Sequence, residues 1–265
     1  MQTHLDSLLT KKYLIAALVA SASVNLLSNL FGKDVAILVG NSSYIPIAGS
    51  MMVLSILIIK RYGISGQHGL AWFSFGGYAV SSFIGEMTWL VQELYLKIDT
   101  FPSTPDIFYL VSYPFLLMFF IAYFQPVRSA ITKKMIIGPI IFSAGILAVG
   151  LYFTIGTGSV LAPFEAALAT IYPIFDAIII VPALVGVALF FKGKVNLMWT
   201  LFCFGIVLLF AADTAFLFAQ SEDSYYTGNP MELLYSWNYI LLSFGIYSHL
   251  AIFEKPKANR FEDLR

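Results

Sequence analysis

Apolar stretches of about 17–25 residues recur along this chain, the length a helix needs to cross a hydrocarbon core of roughly 30 Å. The segments between and beyond them hold most of the charged residues. That spacing predicts spans near 13–31, 44–60, 67–92, 106–124, 134–155, 163–191, 195–219 and 230–254. No alternation of period two runs through these stretches, so a membrane β-barrel is not expected. Composition agrees: 59% of residues are apolar and only 11% charged, where a soluble domain carries about 25% charged residues. The fold class read from this pattern is all-α, a polytopic membrane protein of about eight transmembrane helices in one domain spanning 1–265.

Orientation follows from the basic residues, which collect on the cytoplasmic side of membrane proteins. With the N-terminus placed in the cytoplasm, only Lys33 and Lys97 of the 15 Lys and Arg fall in outer loops. The other 13 (Lys11, Lys12, Lys60, Arg61, Arg128, Lys133, Lys134, Lys192, Lys194, Lys255, Lys257, Arg260 and Arg265) lie inside. A seven-span arrangement would put one of these basic loops outside. Asp34, Glu93, Asp99, Asp106, Glu165, Glu222, Asp223 and Glu232 mark the outer loops and helix ends instead. The expected location is the cytoplasmic (plasma) membrane, with both termini cytoplasmic and the lipid bilayer as the first partner. No patch suits nucleic acid. Cys203 is the only cysteine, which excludes an internal disulfide. The first span is long and lacks a clear cleavage site, so it is expected to be retained.

Aligning Trp72 with Trp199 reveals an internal correspondence. Glu86 then meets Asp213, Trp89 meets Phe216, and Glu93 meets Gln220. Further on, Asp106, Tyr109 and Tyr113 meet Glu232, Tyr235 and Tyr239. Spans 3–4 thus read as a copy of spans 7–8, and by extension units 13–124 and 134–254 form a parallel repeat. Ser103-Thr104-Pro105-Asp106 and Asn229-Pro230-Met231-Glu232 each open a span with a capping residue, a proline and an acid. Helix capping accounts for Asp106 and Glu232.

Three further acids fall within spans, where a charge costs roughly 2.5–3.5 kcal/mol on insertion scales. Glu86 and Asp213 lie about six residues from the outer ends of their spans, roughly 9 Å deep. Asp176 follows Pro173 near the middle of span 6. Tyr78, Ser82 and Glu86 recur every four residues and share a helix face. Tyr113, Tyr172 and Tyr239, with Tyr109, Tyr235 and Asn238, fall at comparable depth. These residues predict either a polar, tyrosine-walled cavity open to the outside or interhelical hydrogen bonding that fixes packing. In the first case Glu86, Asp176, Asp213, Ser82, Tyr78, Tyr113, Tyr172 and Tyr239 bind the ligand. No cofactor is expected: there is no mid-membrane lysine for a Schiff base and no phosphate-binding loop. Only His4, His68 and His249 are present, without metal-ligand spacing, so no metal site is expected.

The run Phe101-Pro-Ser-Thr-Pro-Asp106-Ile-Phe-Tyr109-Leu-Val-Ser-Tyr113-Pro114, after Trp89 and Glu93, resembles an N-terminal membrane domain. That domain precedes diguanylate cyclase or histidine kinase modules in signalling proteins. Ile171-Tyr-Pro-Ile-Phe-Asp176 is similar to that family's Tyr-Pro-x-x-Asp helix. The resemblance implies a sensory role. Because the tail 255–265 is too short for an output domain, the signal is expected to pass to a separate cytoplasmic partner. Gly85-Glu86 and Ala212-Asp213 also resemble the acids of lysoplasmalogenase-like membrane hydrolases, without that family's nearby histidine and glutamine. Four functions therefore follow as expectations: a stand-alone sensor for a small or lipidic ligand, a lipid hydrolase, a proton-coupled transporter, and a structural subunit of a membrane complex.

Overall fold

The computed structural model describes residues 2–98, 101–155 and 163–252. Asp99, Lys255, Lys257, Arg260 and Arg265, and the tail 255–265, lie outside the described residues. Among the described residues eight α-helices follow one another: α1 (Gln2–Leu30), α2 (Lys33–Tyr62), α3 (Gly66–Leu90), α4 (Thr104–Phe124), α5 (Lys133–Ile155), α6 (Pro163–Phe190), α7 (Asn196–Ser221) and α8 (Leu233–Ile252). There is no strand among the described residues. A π-helical turn, Val91–Leu96, extends α3, and 3-10 turns at Gln125–Ala130 and Pro230–Glu232 follow α4 and precede α8.

Six of the helices, α1, α2, α4, α5, α6 and α7, are long and apolar enough to cross a membrane. The other two, α3 and α8, are more polar because they turn side chains such as Ser74, Ser82, Asn238, Ser243 and His249 into the protein interior.

α2 starts well before residue 44, where the sequence pattern places the second span. Its polar run Asn41-Ser42-Ser43 looks like loop, yet every one of these side chains returns to its own helix. Asn41 donates to the Ile37 carbonyl at 2.9 Å, Ser42 to Leu38 and Ser43 to Val39, both at 2.7 Å. Back-bonding of this kind lets short polar residues sit inside a helix in an apolar medium. Only Phe31 and Gly32 separate α1 from α2, and Gly32 makes the turn at φ +103°, a conformation glycine adopts without steric cost.

Neighbour relations close a ring: α2 packs on α3, α3 on α4, α4 on α6, α6 on α7, α7 on α8, and α8 back on α2. α1 lies outside the ring against α8 and α2, and α5 lies outside it against α6 and α7. The outward faces of these peripheral helices are apolar and exposed, as at Tyr13, Ile15, Ile140 and Ile141. One half of the ring's interior is aromatic. Trp72, Phe75, Phe119, Phe120, Trp199 and Phe202 are fully buried, with Phe75 stacked on Phe202 at 5.1 Å and Trp199 on Phe190 at 5.3 Å. Each such pair contributes about 0.5–1.5 kcal/mol beyond its area. Between helices in lipid, packing of this kind replaces the hydrophobic effect as the source of cohesion. Gly186 makes room for it, since a Cβ there would lie 2.1 Å from the Trp199 ring.

Candidate functional site

The other half of the ring's interior is hollow, and carboxyls and tyrosines gather there. Its cavity has about 780 Å³ of empty space, mouth included. It lies at the end of the bundle where α3 leads to α4 and α7 leads to α8. Helix α3 contributes Tyr78, Ser82 and Glu86, three positions four residues apart. From α4 come Asp106, Tyr109 and Tyr113, from α6 Tyr172, from α7 Asp213, and from α8 Tyr235 and Tyr239. Four carboxyls (Glu86, Asp106, Asp213 and Glu232) and eight tyrosines line the space, with no lysine, arginine or histidine among the lining residues.

Tyrosine hydroxyls satisfy the carboxyls across helix boundaries. Tyr113 sits between two of them, 2.8 Å from Asp176 Oδ1 and 2.8 Å from Asp213 Oδ2. Its single proton serves one carboxyl at a time. Tyr235 donates to the other oxygen of Asp213 at 2.6 Å. Tyr239 donates to Glu86 at 2.8 Å and Tyr172 to Asp106 at 2.7 Å. These bonds join α4 to α6 and α7, α8 to α3 and α7, and α6 to the start of α4.

Seven of the eight residues expected to bind a ligand line this one cavity: Glu86, Asp213, Ser82, Tyr78, Tyr113, Tyr172 and Tyr239. Asp176 does not. It is buried behind the wall, 1% exposed, and meets the site through the Tyr113 hydroxyl and the neighbouring Asp213 carboxyl. Asn238 is fully buried and also stands outside the lining.

The two acids read as helix caps do more than cap. Asp106 closes a capping box with Ser103, accepting the Ser103 backbone N–H at 2.8 Å, while its other oxygen faces Tyr172. Glu232 accepts the Gly228 N–H at 3.0 Å and the Tyr225 hydroxyl, and the Asn229 side chain caps the following turn. Burial pushes the Tyr225 phenol well above its ordinary range, and the Glu232 carboxylate beside it adds to the shift. Tyr225 therefore keeps its proton and remains a donor.

Sequence reasoning missed the contribution of α2. Tyr44 lines the cavity, and Asn41 donates at 2.7 Å to Glu93, which also accepts from Trp89 at 3.2 Å. Trp89 reaches Thr227 of the α7–α8 connection at 3.0 Å. The polar run Asn41-Ser42-Ser43, set between two apolar stretches, was the available signal. Gly228 lies against α2 so closely that a Cβ on it would stand 2.1 Å from the Ala36 carbonyl oxygen. Its own carbonyl accepts from Asn25 at 2.9 Å and Asn29 at 2.8 Å on α1. The first two helices thus hold the connection that helps wall the cavity.

At the opposite end, His68 and His249 meet with ring centroids 5.7 Å apart, among Tyr62, Trp72 and Tyr123. Their 181-residue separation hides this pairing in the sequence. Among the described residues, no group of three or more His, Cys, Asp or Glu is placed to hold a metal ion. No family model, curated protein or solved structure matches the chain.

Proposed function

We propose that this chain is a membrane sensor or receptor-like protein that takes a small or lipidic ligand into the tyrosine–carboxylate cavity. In this reading it spans the membrane eight times, with both termini cytoplasmic and the cavity facing outward. Two parallel four-helix units make up the domain. The ring order supports the repeat: exchanging α2, α3 and α4 for α6, α7 and α8 returns the same ring. The single observation carrying the ligand reading is the convergence of four carboxyls and eight tyrosines on one hollow, without a basic side chain among the lining residues.

Packing alone would be served by filling that space, because a void forfeits dispersion contacts on every lining atom. A hollow walled by aromatic rings and studded with carboxyls suits a molecule that joins an apolar body to hydrogen-bond donors or positive charge. Binding in it would bias how the two halves pack, and so the inner loops, by as much as the ligand's affinity differs between two arrangements. The resemblance of the Asp106–Pro114 and Ile171–Asp176 segments to signalling-protein membrane domains supports passing that change to a separate cytoplasmic protein.

Thermal unfolding of the purified protein across a panel of amines, polyols and lysolipids tests this. A binder raises the wild-type midpoint through RT ln(1 + [L]/Kd) and leaves Glu86→Gln/Asp213→Asn unmoved. Equal shifts in both proteins, or none in either, would contradict the reading.

A further inference from the structure

The four carboxyls that line the cavity are not equivalent. Asp106, Asp213 and Glu232 are buried, at 3%, 8% and 5% exposure, and both oxygens of each are engaged by the protein. Glu86, the counterpart of Asp213 in the alignment of the two halves, is only partly buried. Tyr239 donates to its Oε1 at 2.8 Å, and Tyr109 also hydrogen-bonds the carboxyl. Asp213 is thus tied into contacts between helices, while Glu86 keeps a side open to the hollow.

Aromatic rings surround this carboxyl. Gly85 has no side chain, and the Tyr109 ring takes the space: a Cβ there would lie 2.6 Å from it. Tyr239 meets Tyr44 edge to face with centroids 6.1 Å apart. Elsewhere on the wall, Phe216 packs 5.9 Å from Trp89 and 4.6 Å from Tyr225. All six rings line the cavity. The face of such a ring attracts a cation, and more strongly where water is excluded.

What the cavity lacks is an opposite charge. Tyrosine hydroxyls give the carboxyls hydrogen bonds but cancel none of their charge, and no Lys, Arg or His is among the lining residues. A carboxylate held away from water needs a charged partner. Anions, by contrast, find their places taken. Backbone N–H groups at helix starts are the usual seats for anions. Beside the starts of α4 and α8 they already hold acids of the chain, Ser103 N–H on Asp106 and Gly228 N–H on Glu232. A ligand phosphate or carboxylate would meet like charge there.

We propose that the ligand is an organic ammonium with an apolar body and no anionic group, its nitrogen set against Glu86 among the rings. This rests on the cavity being a ligand site, as proposed above, and narrows the ligand to one class. Phospholipids, nucleotides and amino acids are excluded, and neutral alcohols bind more weakly.

Matched compounds test the class. Dissociation constants are measured in phosphatidylcholine nanodiscs for phenethylamine and tryptamine, for the alcohols phenylethanol and tryptophol, and for phenylalanine and tryptophan. Lysophosphatidylethanolamine adds an ammonium that carries a phosphate beside it. Each amine should bind at least about tenfold tighter than its alcohol and its amino acid, and the lysolipid should not compete. Folded Glu86→Gln should bind amine and alcohol alike. An amine advantage that survives in Glu86→Gln would overturn the proposal. So would an alcohol, amino acid or lysolipid that binds wild type as tightly as the amine; its loss in Glu86→Gln would then keep the cavity as a ligand site of another class. If none of these compounds binds, the ammonium assignment fails, and the broader unfolding panel decides separately whether the cavity takes another ligand. The wild-type order of affinities decides the class even where Glu86→Gln does not fold.

Discussion

Tyr113 is the side chain on which the polar half of the bundle depends most, because two buried carboxyls from different helices share its hydroxyl. Tyr113→Phe removes the donor and leaves both in place. An unsatisfied buried polar group costs about 1–3 kcal/mol, so the variant should unfold that much more readily in detergent. Tyr13→Phe, on an exposed side chain, should fall within about 0.5 kcal/mol of wild type. A denaturant or steric-trapping titration of the three proteins checks both expectations. The depth of Glu86 and Asp213 and the four-residue spacing of Tyr78, Ser82 and Glu86 made much of this site legible from the sequence. Those features report helix face and depth, which a single helix fixes. Asp176 shows the limit. Its depth was readable, but whether it enters the cavity or stands behind Tyr113 depends on the rotation of α6 against α4, which only tertiary packing sets.

Helix ends and connections carry the next level of organisation. The Ser103 and Asp106 box at the start of α4 was readable because capping is local chemistry. Ser103→Ala should cost about 1 kcal/mol, measurable in the same unfolding titration. The start of α2 was not readable in this way, since Asn41, Ser42 and Ser43 satisfy themselves along the helix and so mimic a loop in sequence. The tie between α2 and the α7–α8 connection was equally hidden, because it rests on two distant glycines, Gly40 and Gly228, in close approach. Gly228 has φ +86°, so Gly228→Ala combines backbone strain with a clash against Ala36. It should destabilise the protein by more than about 1 kcal/mol. Hydrogen exchange should also speed up in residues 224–229 while the aromatic half of the bundle keeps its protection. Unchanged exchange in that segment would show that the connection is held by other contacts.

For the molecule as a whole, the sequence conveyed helical character and the places where apolar stretches break. It did not convey the ring, because neighbour relations such as α4 on α6 and α8 on α2 join segments far apart in the chain. Nor did it convey that the polar helices α3 and α8 belong to the ring while apolar α1 and α5 lie outside it. The proposed eight-span arrangement makes a direct prediction about sidedness. In a Cys203→Ala background, Lys97→Cys and Asp223→Cys should react with a membrane-impermeant maleimide added to intact cells. Ile64→Cys and Lys192→Cys, which are equally exposed in the fold, should react only after the membrane is opened. Any one of the four reacting from the wrong side would refute the arrangement.

The central claim is that the tyrosine–carboxylate cavity binds a specific molecule, and mass spectrometry of small molecules and lipids retained by the purified protein tests it most directly. Wild type should carry a defined species that folded Glu86→Gln/Asp213→Asn does not. Identical spectra from the two folded proteins would contradict the claim and leave these acids as packing elements of the helical ring.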